Sequence, residues 1–540
     1  MDNQITRGQF LKTLATASMG AQFAGSPFVA EAKVKNTDNQ RNESDFPVRG
    51  FHIDLRSEVM TISALKEFAN VLASLGINTI VMEYEATYPY KNNLTLRNKN
   101  AYSREEIKDY ITHCSKLNID VVPLQESLGH VQYILRHDKY ADLRISRQIL
   151  SQVDPLNKKA IQLFKELIGD MISLHDSPYV HIGGDEVRHL TNKKFHSYVE
   201  KHGISKLYTQ YMKQICQIVI DHGMTPLLWA DMILKHPEAV EDLPIDKAIF
   251  IDWNYGWNIN MFGNISALQK KGCTFWGAPA LRSSPDNYFI TRWEKHFNNL
   301  RDYIPYSRKS NYKGMIMTSW STSGIYGYKW EDNDGQLLEM FPIRNVYPLS
   351  GFHILVEAFA KSLQEDKSLK PQEFVMEYAQ KRYGLNRSDA EKLWTYFAHK
   401  QILVREGHPD NHQSISQLVQ NFGAIKQKID EIKPQQNIKE FEHFKLMAAI
   451  REFYLQGLEL QEMMDSYDGK RENRKKIQAR IGALSNNSEI LNKRFIALNH
   501  DFLKNPELKR LNDLRNERLH NLKERYDNFI FTSKYGESTL

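Results

Sequence analysis

Cysteine is nearly absent from this chain. Cys114, Cys216 and Cys273 lie far apart in 540 residues, and none belongs to a Cys-x-x-Cys pair. Neither a disulfide framework nor a cysteine-based zinc site fits that pattern, so the three thiols read as small buried apolar groups. Also missing is any run of about 18 apolar residues, the length a membrane-crossing helix needs, so no membrane span is expected. Charge of one sign is not in excess either. The 71 basic and 65 acidic side chains leave a net +6, too thinly spread for a dedicated nucleic-acid surface. No Gly-x-Gly-x-x-Gly follows the first strand-like run, which counts against a dinucleotide-binding open sheet. With 41% hydrophobic and 25% charged residues, the chain is of ordinary globular composition and long enough for two or three domains.

The N-terminus reads as a segment apart. Thr6-Arg7-Gly8-Gln9-Phe10-Leu11-Lys12 precedes a weakly apolar, Ala-rich run that ends at Val29-Ala30-Glu31-Ala32. A basic start, an apolar middle and an Ala-x-Ala end describe an export signal over residues 1–32, cleaved after Ala32. It is twin-arginine-like, with Gly8 where the second arginine would stand. A periplasmic or extracellular protein is therefore expected. Residues 33–47 are polar and read as a linker.

From residue 48 onward, short β-rich runs alternate with amphipathic stretches. The strand-like runs are Gly50–Leu55, Asn78–Glu85, Ile119–Gln125, Tyr179–Gly184, Thr225–Ala230, Ala248–Trp253, Cys273–Ala278 and Gly314–Trp320. Helical patterns separate them, as at Thr61–Leu75, Ser103–Leu117, Asn157–Leu174 and Ser205–Gly223. Runs that are apolar throughout imply strands covered on both faces, hence a parallel sheet. Eight such units predict a (β/α)8 barrel over residues 48–365, with a doubly wound open sheet as the alternative. After about residue 366 the chain is rich in Lys, Glu, Gln, Asn and Leu, and long helical patterns recur at Glu440–Tyr467 and Arg471–Leu498. Residues 366–540 are expected to form an α-helical domain, packed on the barrel or on a partner chain and so a possible homodimer contact. Its charge runs read as solvated helix faces.

A (β/α)8 barrel places its active site at the C-terminal ends of the strands. There the chain sets Arg56, Tyr84-Glu85, Gln125-Glu126, Gly129-His130, Asp185-Glu186, Trp229, Asp231, Trp253, Trp276 and Trp320. Four tryptophans ending consecutive strands suggest an aromatic-walled pocket, because an aromatic face matches the apolar face of a sugar. The central feature is His181-Ile182-Gly183-Gly184-Asp185-Glu186, where a strand runs into two glycines and then two carboxylates. Such a pair can cap a helix, bind a metal with further ligands, or act as acid and base. The glycines let another group approach the backbone closely, which a cap alone does not require. Adjacent residues splay apart, so the pair does not flank a glycosidic bond as two opposed carboxylates about 5–9 Å apart would. It suits a reaction in which the substrate's own 2-acetamido oxygen is the nucleophile.

The same hexapeptide at a fourth barrel strand resembles glycoside hydrolase family 20, the β-N-acetylhexosaminidases. Gly50-Phe51-His52-Ile53-Asp54-Leu55-Arg56 is similar to the family's first-strand segment, and Leu128-Gly129-His130 to its Pro-Gly-His loop, with Leu128 replacing proline. Met317-Thr318-Ser319-Trp320-Ser321 resembles the eighth-strand tryptophan segment. Glu83-Tyr84-Glu85-x-x-Tyr88-Pro89-Tyr90, and the lack of a domain ahead of the barrel, are closer to the hexosaminidase D-like branch. The resemblance implies a retaining exo-β-N-acetylhexosaminidase acting on glycans that end in β-linked GlcNAc or GalNAc through an oxazolinium intermediate, with no cofactor and no metal. It implies Glu186 as general acid and then base, with a carboxyl raised by a tryptophan-rich pocket, and Asp185 as the ionised partner of the acetamido group. Trp229, Trp276 and Trp320 would wall the acetamido pocket, Arg56 and Glu339 would hold sugar hydroxyls, and His130 would support the site. The family's Tyr-Leu-Asp after the seventh strand is absent. Tyr288, in Asp286-Asn287-Tyr288, is the candidate for its tyrosine. Two alternatives stay open: a narrower enzyme for β-GalNAc or 6-sulfo-GlcNAc, with Arg282 or Arg292 meeting the sulfate, and a non-catalytic sugar-binding barrel.

Overall fold

A computed structural model describes residues 46–283, 286–321, 345–405 and 407–536. The expected export signal (1–32), all but the last two residues of the linker, and Glu339 lie outside the described residues.

Seven consecutive parallel strands run around a barrel: β1 (Val48–Asp54), β2 (Thr79–Glu83), β3 (Asp120–Leu124), β4 (Tyr179–His181), β5 (Thr225–Trp229), β6 (Ile249–Trp253) and β7 (Thr274–Ala278). A short strand, β8 (Ala280–Arg282), then precedes β9 (Gly314–Ser319). The barrel closes because β9 pairs in parallel with β1, Val48 opposite Gly314 and Phe51 opposite Met317. On its other side β9 meets β7 at Gly277–Met315 and β8 at Ala280–Thr318. Pro279 separates β7 from β8, and its carbonyl accepts from Thr318 N at 2.8 Å. Proline has no N–H for a ladder, so the seventh wall is bent into two pieces. The eight expected strands are all present, each within three residues of the predicted ends; β8 is the unpredicted addition.

Local chemistry explains where the outer helices begin. Thr61 caps the Ile62–Ser74 helix by accepting from Ala64 N. Ser103 and Glu106 form a reciprocal capping box on Arg104–Lys116. Asn157 caps Lys158–Ile172. The apolar faces of these helices bury against the outer faces of strands, while Val122, Leu227, Trp229, Ile251, Trp276 and Ile316 belong to a separate apolar cluster inside the barrel. The helix His353–Gln364 follows β9 and packs beside Trp293–Lys309, and Gln364 Nε2 donates to Leu75 O at 2.9 Å.

The C-terminal region is helical, with long helices at Ile438–Asp465, Arg471–Asn499 and Asn505–Gly536. Of the two expected placements, the structure has it packed on the barrel. Thr61 N donates to Phe502 O and Lys504 N to Val59 O, each at 2.9 Å, so the tail pairs backbone to backbone with the loop after β1. Trp293 stacks on Phe352 and Phe397, with ring centres 5.3 and 4.4 Å away, and meets Phe444 edge-on. Among the described residues no helix is long and apolar enough to cross a membrane.

Candidate active site

The end of β4 is built by close backbone approach. Gly183 and Gly184 have φ of +68° and +91°. A Cβ on Gly183 would lie 1.9 Å from Glu126 Oε2, and one on Gly184 2.9 Å from Met212 Cε. Only glycine fits both the backbone and the space. The segment is pinned by Ser127 Oγ donating to Ile182 O at 2.6 Å and Tyr208 OH donating to Gly184 O at 3.1 Å. His181 turns away from the acids: its Nδ1 accepts from Gly183 N at 3.0 Å and its ring packs 4.4 Å from Trp229. Burial holds its imidazole well below the usual range, so it is neutral. No helix starts at the acid pair, the next helical turn being Lys193–Phe195, so Asp185 and Glu186 are not a helix cap.

Both carboxylates face one imidazole. His130 Nε2 is 3.3 Å from Asp185 Oδ2 and 3.3 Å from Glu186 Oε2. Gly129 makes that approach possible, since a Cβ there would lie 2.6 Å from Asp185 O. The two acids have unequal surroundings. Asp185 Oδ1 is buried without a hydrogen-bond partner among the described residues. The Glu186 side chain is 33% exposed, its Oε1 meets Arg188 Nη2 at 2.9 Å, and its N–H points at Asp231 Oδ2 at 3.3 Å.

The expected rise of the Glu186 carboxyl is not found. Burial pushes it up, but the hydrogen bond and charge of His130, then Arg188, outweigh burial and lower it to about 2. A tryptophan-rich wall desolvates; two cations in contact do more. Burial likewise pulls His130 down, yet the charge of Asp185 and hydrogen bonds to Asp185 and Glu186 hold it well above 6.5. The resting site therefore carries a proton on His130, beside the ionised Glu186. Behind them Glu126 is fully buried, raised by burial and by Asp185, and Asp231 is raised to about 6 by the same two causes.

Arg56 is 4% exposed and locked at the rim. Its guanidinium meets Asp54 Oδ2 at 2.9 Å and Glu83 Oε1 at 3.2 Å, and stands 5.2 Å from the centre of the Trp320 ring. Trp320 also lies 5.7 Å from Trp229, and its Nε1 donates to Tyr255 OH at 2.8 Å. Trp229 and Trp320 thus meet at the same end of the barrel. Trp276 does not join them. It is 1% exposed, edge-on to Tyr179 at the start of β4, and against Gly314 at the start of β9, so it fills the lower barrel interior. Its position as the third residue of β7, rather than the last, is the cause.

Tyr288 is also placed elsewhere. Its ring packs 6.0 Å from Tyr454 of the C-terminal region, its carbonyl accepts from Arg451, and it lines a separate cleft. The tyrosine beside the tryptophans is Tyr255, whose hydroxyl burial pushes up, with Asp185 and Glu186 adding to the rise. The aromatic triplet Trp253-x-Tyr255-x-Trp257 after β6 was the signal for it in the sequence. Glu126 and Asp231 stood at strand ends without a role, and Arg188 carried no signal beyond its nearness to the pair. Arg282 is fully buried, donating to Glu58 and to Tyr347 O, so it faces no pocket. Among the described residues no group of three or more His, Cys, Asp or Glu side chains is arranged to hold a metal ion.

A closed parallel barrel carrying two adjacent, differently solvated carboxylates at a strand's C-terminal end has the layout of a glycoside hydrolase. Residues 46–275 match the family model described as glycosyl hydrolase family 20, catalytic domain. Hexosaminidase D of Bos taurus is 28% identical over 292 residues, which cover 51% of this chain and 84% of that one. The Homo sapiens protein of the same name is 28% identical over 302 residues, covering 52% of this chain and 61% of that one. A solved β-N-acetylhexosaminidase from Bacteroides fragilis NCTC 9343 superposes with a TM-score of 0.46 at 16% identity, covering 66% of this chain and 72% of that one.

Proposed function

We propose that this chain is a retaining exo-β-N-acetylhexosaminidase that removes terminal β-linked GlcNAc or GalNAc with the help of the substrate's own acetamido group. The supporting observation is the inequality of the two acids. Asp185 presents a buried, unpartnered oxygen that an acetamido N–H would satisfy, while Glu186 is open to the leaving group. In this reading the acetamido oxygen attacks the anomeric carbon as Glu186 protonates the departing glycosidic oxygen. Asp185 accepts from the acetamido nitrogen as it gains positive charge, which steadies the cyclic oxazolinium. Glu186, now ionised, takes a proton from water as that water opens the ring, and the sugar leaves with retained configuration.

The proton Glu186 needs comes from His130, 3.3 Å from its Oε2. Handing that proton over leaves the imidazole neutral and so removes the largest influence holding the carboxyl low, and sugar binding that separates Arg188 from Glu186 removes the rest. Glu186→Gln is expected to lower kcat on aryl β-GlcNAc by about 10²–10⁴-fold while sugar binding persists. A variant retaining near-wild-type turnover would sink this assignment. An aryl β-glucoside, lacking the acetamido group, should be inert; hydrolysis of it at a comparable rate would rule out the substrate-assisted route.

A further inference from the structure

A second concave feature lies apart from the acid pair, neither member of which lines it. It is a cleft of about 1090 Å³ between the loops after β6 and β8 and the C-terminal helices, reaching Phe397 and His399. That is at or above the usual size of a small-molecule pocket, about 300–1,000 Å³, so more than one sugar unit fits. A line of aromatic groups joins it to the tryptophans at the end of the barrel. Trp229 stands 5.7 Å from Trp320, Trp320 Nε1 bonds Tyr255 OH at 2.8 Å, and Tyr255 stands 5.0 Å from Trp257, which forms part of the cleft wall.

The chemistry of the wall is specific. Asn287, Asn298 and Asn299 each have their side-chain carbonyl engaged by protein donors, from Tyr288 and Asn345, from Arg301, and from Ala280. Their amide N–H groups have no acceptor among the described residues and remain for a ligand's hydroxyls. Half-buried Trp257 offers a flat apolar face of the kind that stacks on a sugar ring. The charge balance is positive. Of the two acids in the wall, Asp302 is clasped by Arg301 at 2.7 Å through both oxygens, which leaves Glu294. Against it stand Arg292, Lys295 and Lys400, while Arg405 is offset by Asp410 at 3.7 Å. The Arg292 guanidinium donates to Gln401 O, a neutral carbonyl. Lys295 is half-buried and makes no salt bridge among the described residues; the carboxylate that acts on it, and on Arg292, is that of buried Asp286, which already meets His296 Nε2 at 2.7 Å. A half-buried cation without a salt-bridge partner favours a bound anion.

We propose that this cleft is a subsite for an anionic sugar, one bearing a carboxylate or a sulfate, on the leaving-group side of the bond that Glu186 breaks. The inference rests on the hexosaminidase reading for its orientation, with the terminal sugar at Arg56 and Trp320 and the next sugars running past Tyr255 to Trp257. Lys295 and Arg292 meet the anion, and the three asparagines meet hydroxyls.

The experiment compares kcat/KM of the full chain on aryl β-GlcNAc, on a neutral disaccharide of GlcNAc β-linked to galactose, and on two charged ones. In the charged pair the second sugar is glucuronate or 6-sulfogalactose. The expected result is a preference of about tenfold for at least one charged disaccharide over the neutral one, weakening as salt rises past about 0.15 M. Which charged disaccharide is preferred tells carboxylate from sulfate. Lys295→Met should bring the ratio toward one, and Lys295→Glu below it. If the wild type hydrolyses aryl β-GlcNAc, yet the ratio stays within twofold and neither substitution moves it, this subsite is overturned and the hexosaminidase reading stands. Should no substrate turn over, calorimetric binding of the same disaccharides decides. Tighter binding of a charged sugar, lost in Lys295→Glu, supports the subsite, and equal binding of all three overturns it.

Discussion

Asp185 and Glu186 differ by one position in the chain, and on the proposed reading their unequal surroundings divide the work between them. The imidazole that links them also sets a pH dependence. His130 is held well above 6.5, because the charge of Asp185 and the hydrogen bonds to both acids overcome its burial. A group with a raised pKa keeps its proton until the pH passes that raised value. The kcat/KM profile, which reports the free enzyme, should therefore stay high beyond pH 6.5 and fall only as His130 deprotonates. Asp185→Asn removes the largest influence raising it, so the alkaline limb of the residual activity should move to lower pH. A limb that stays in place in Asp185→Asn would show that another group carries it. On the acidic side Glu186 is already ionised above about 2, so it should add no limb between pH 4 and 6. The placing of the two acids together at the end of the fourth strand could be read from the sequence. The direction of the Glu186 shift could not, because Arg188 reaches back to it only once the backbone turns at Glu186, where φ is +46°.

The strand–glycine–glycine–acid element depends on space more than on any one interaction. Gly183→Ala sets a Cβ onto the Glu126 carboxylate and forces alanine into a left-handed backbone at φ +68°. Overpacking and left-handed strain together should cost about 2–5 kcal/mol, visible as a lower denaturation midpoint, with activity lost because Asp185 and Glu186 move off His130. Shortening the clashing side chain in Gly183→Ala/Glu126→Ala should restore part of the stability. If Gly183→Ala alone matches the wild type in both measurements, the close approach is not what the element requires. Strands and helix starts were legible because their signals are local: apolar runs for the strands, and helical patterns opening at Thr61, Ser103 and Asn157. Trp276 and Tyr288 misled for one shared reason. Both have the right residue type near the right strand, and their direction is fixed by neighbours far away in sequence, Tyr179 and Gly314 for one and Arg451 and Tyr454 for the other.

At the scale of the molecule, composition separates a barrel from a helical tail, but the contacts join them. Glu58, just after β1, accepts from Arg282 of β8 and from Leu349 N at 2.7 Å. Arg282 also donates to Tyr347 O, and Tyr347 OH meets His443 Nδ1 at 2.8 Å in the Ile438–Asp465 helix. Arg451, 2% exposed, donates to Tyr288 O in the barrel and to Ile402 O. These long-range links, invisible to any local pattern, run through buried charged groups, and a buried charge is costly once its partner is removed. Glu58→Ala leaves Arg282 buried with Ser319 Oγ and the Tyr347 carbonyl but without its carboxylate, and should cost about 3–5 kcal/mol. If barrel and tail are one cooperative unit, calorimetry of the wild type gives a single transition, and Glu58→Ala lowers the midpoint of that whole transition. Two resolved transitions, with only the first displaced by Glu58→Ala, would mean instead that the helices fold as an independent body. The cleft at Trp257 depends on the outcome, because one wall comes from the barrel and the other from Phe397 and His399. A tail that melts early would take half of that cleft with it, and selectivity for an extended glycan would then fade on warming before hydrolysis of a small aryl glycoside does.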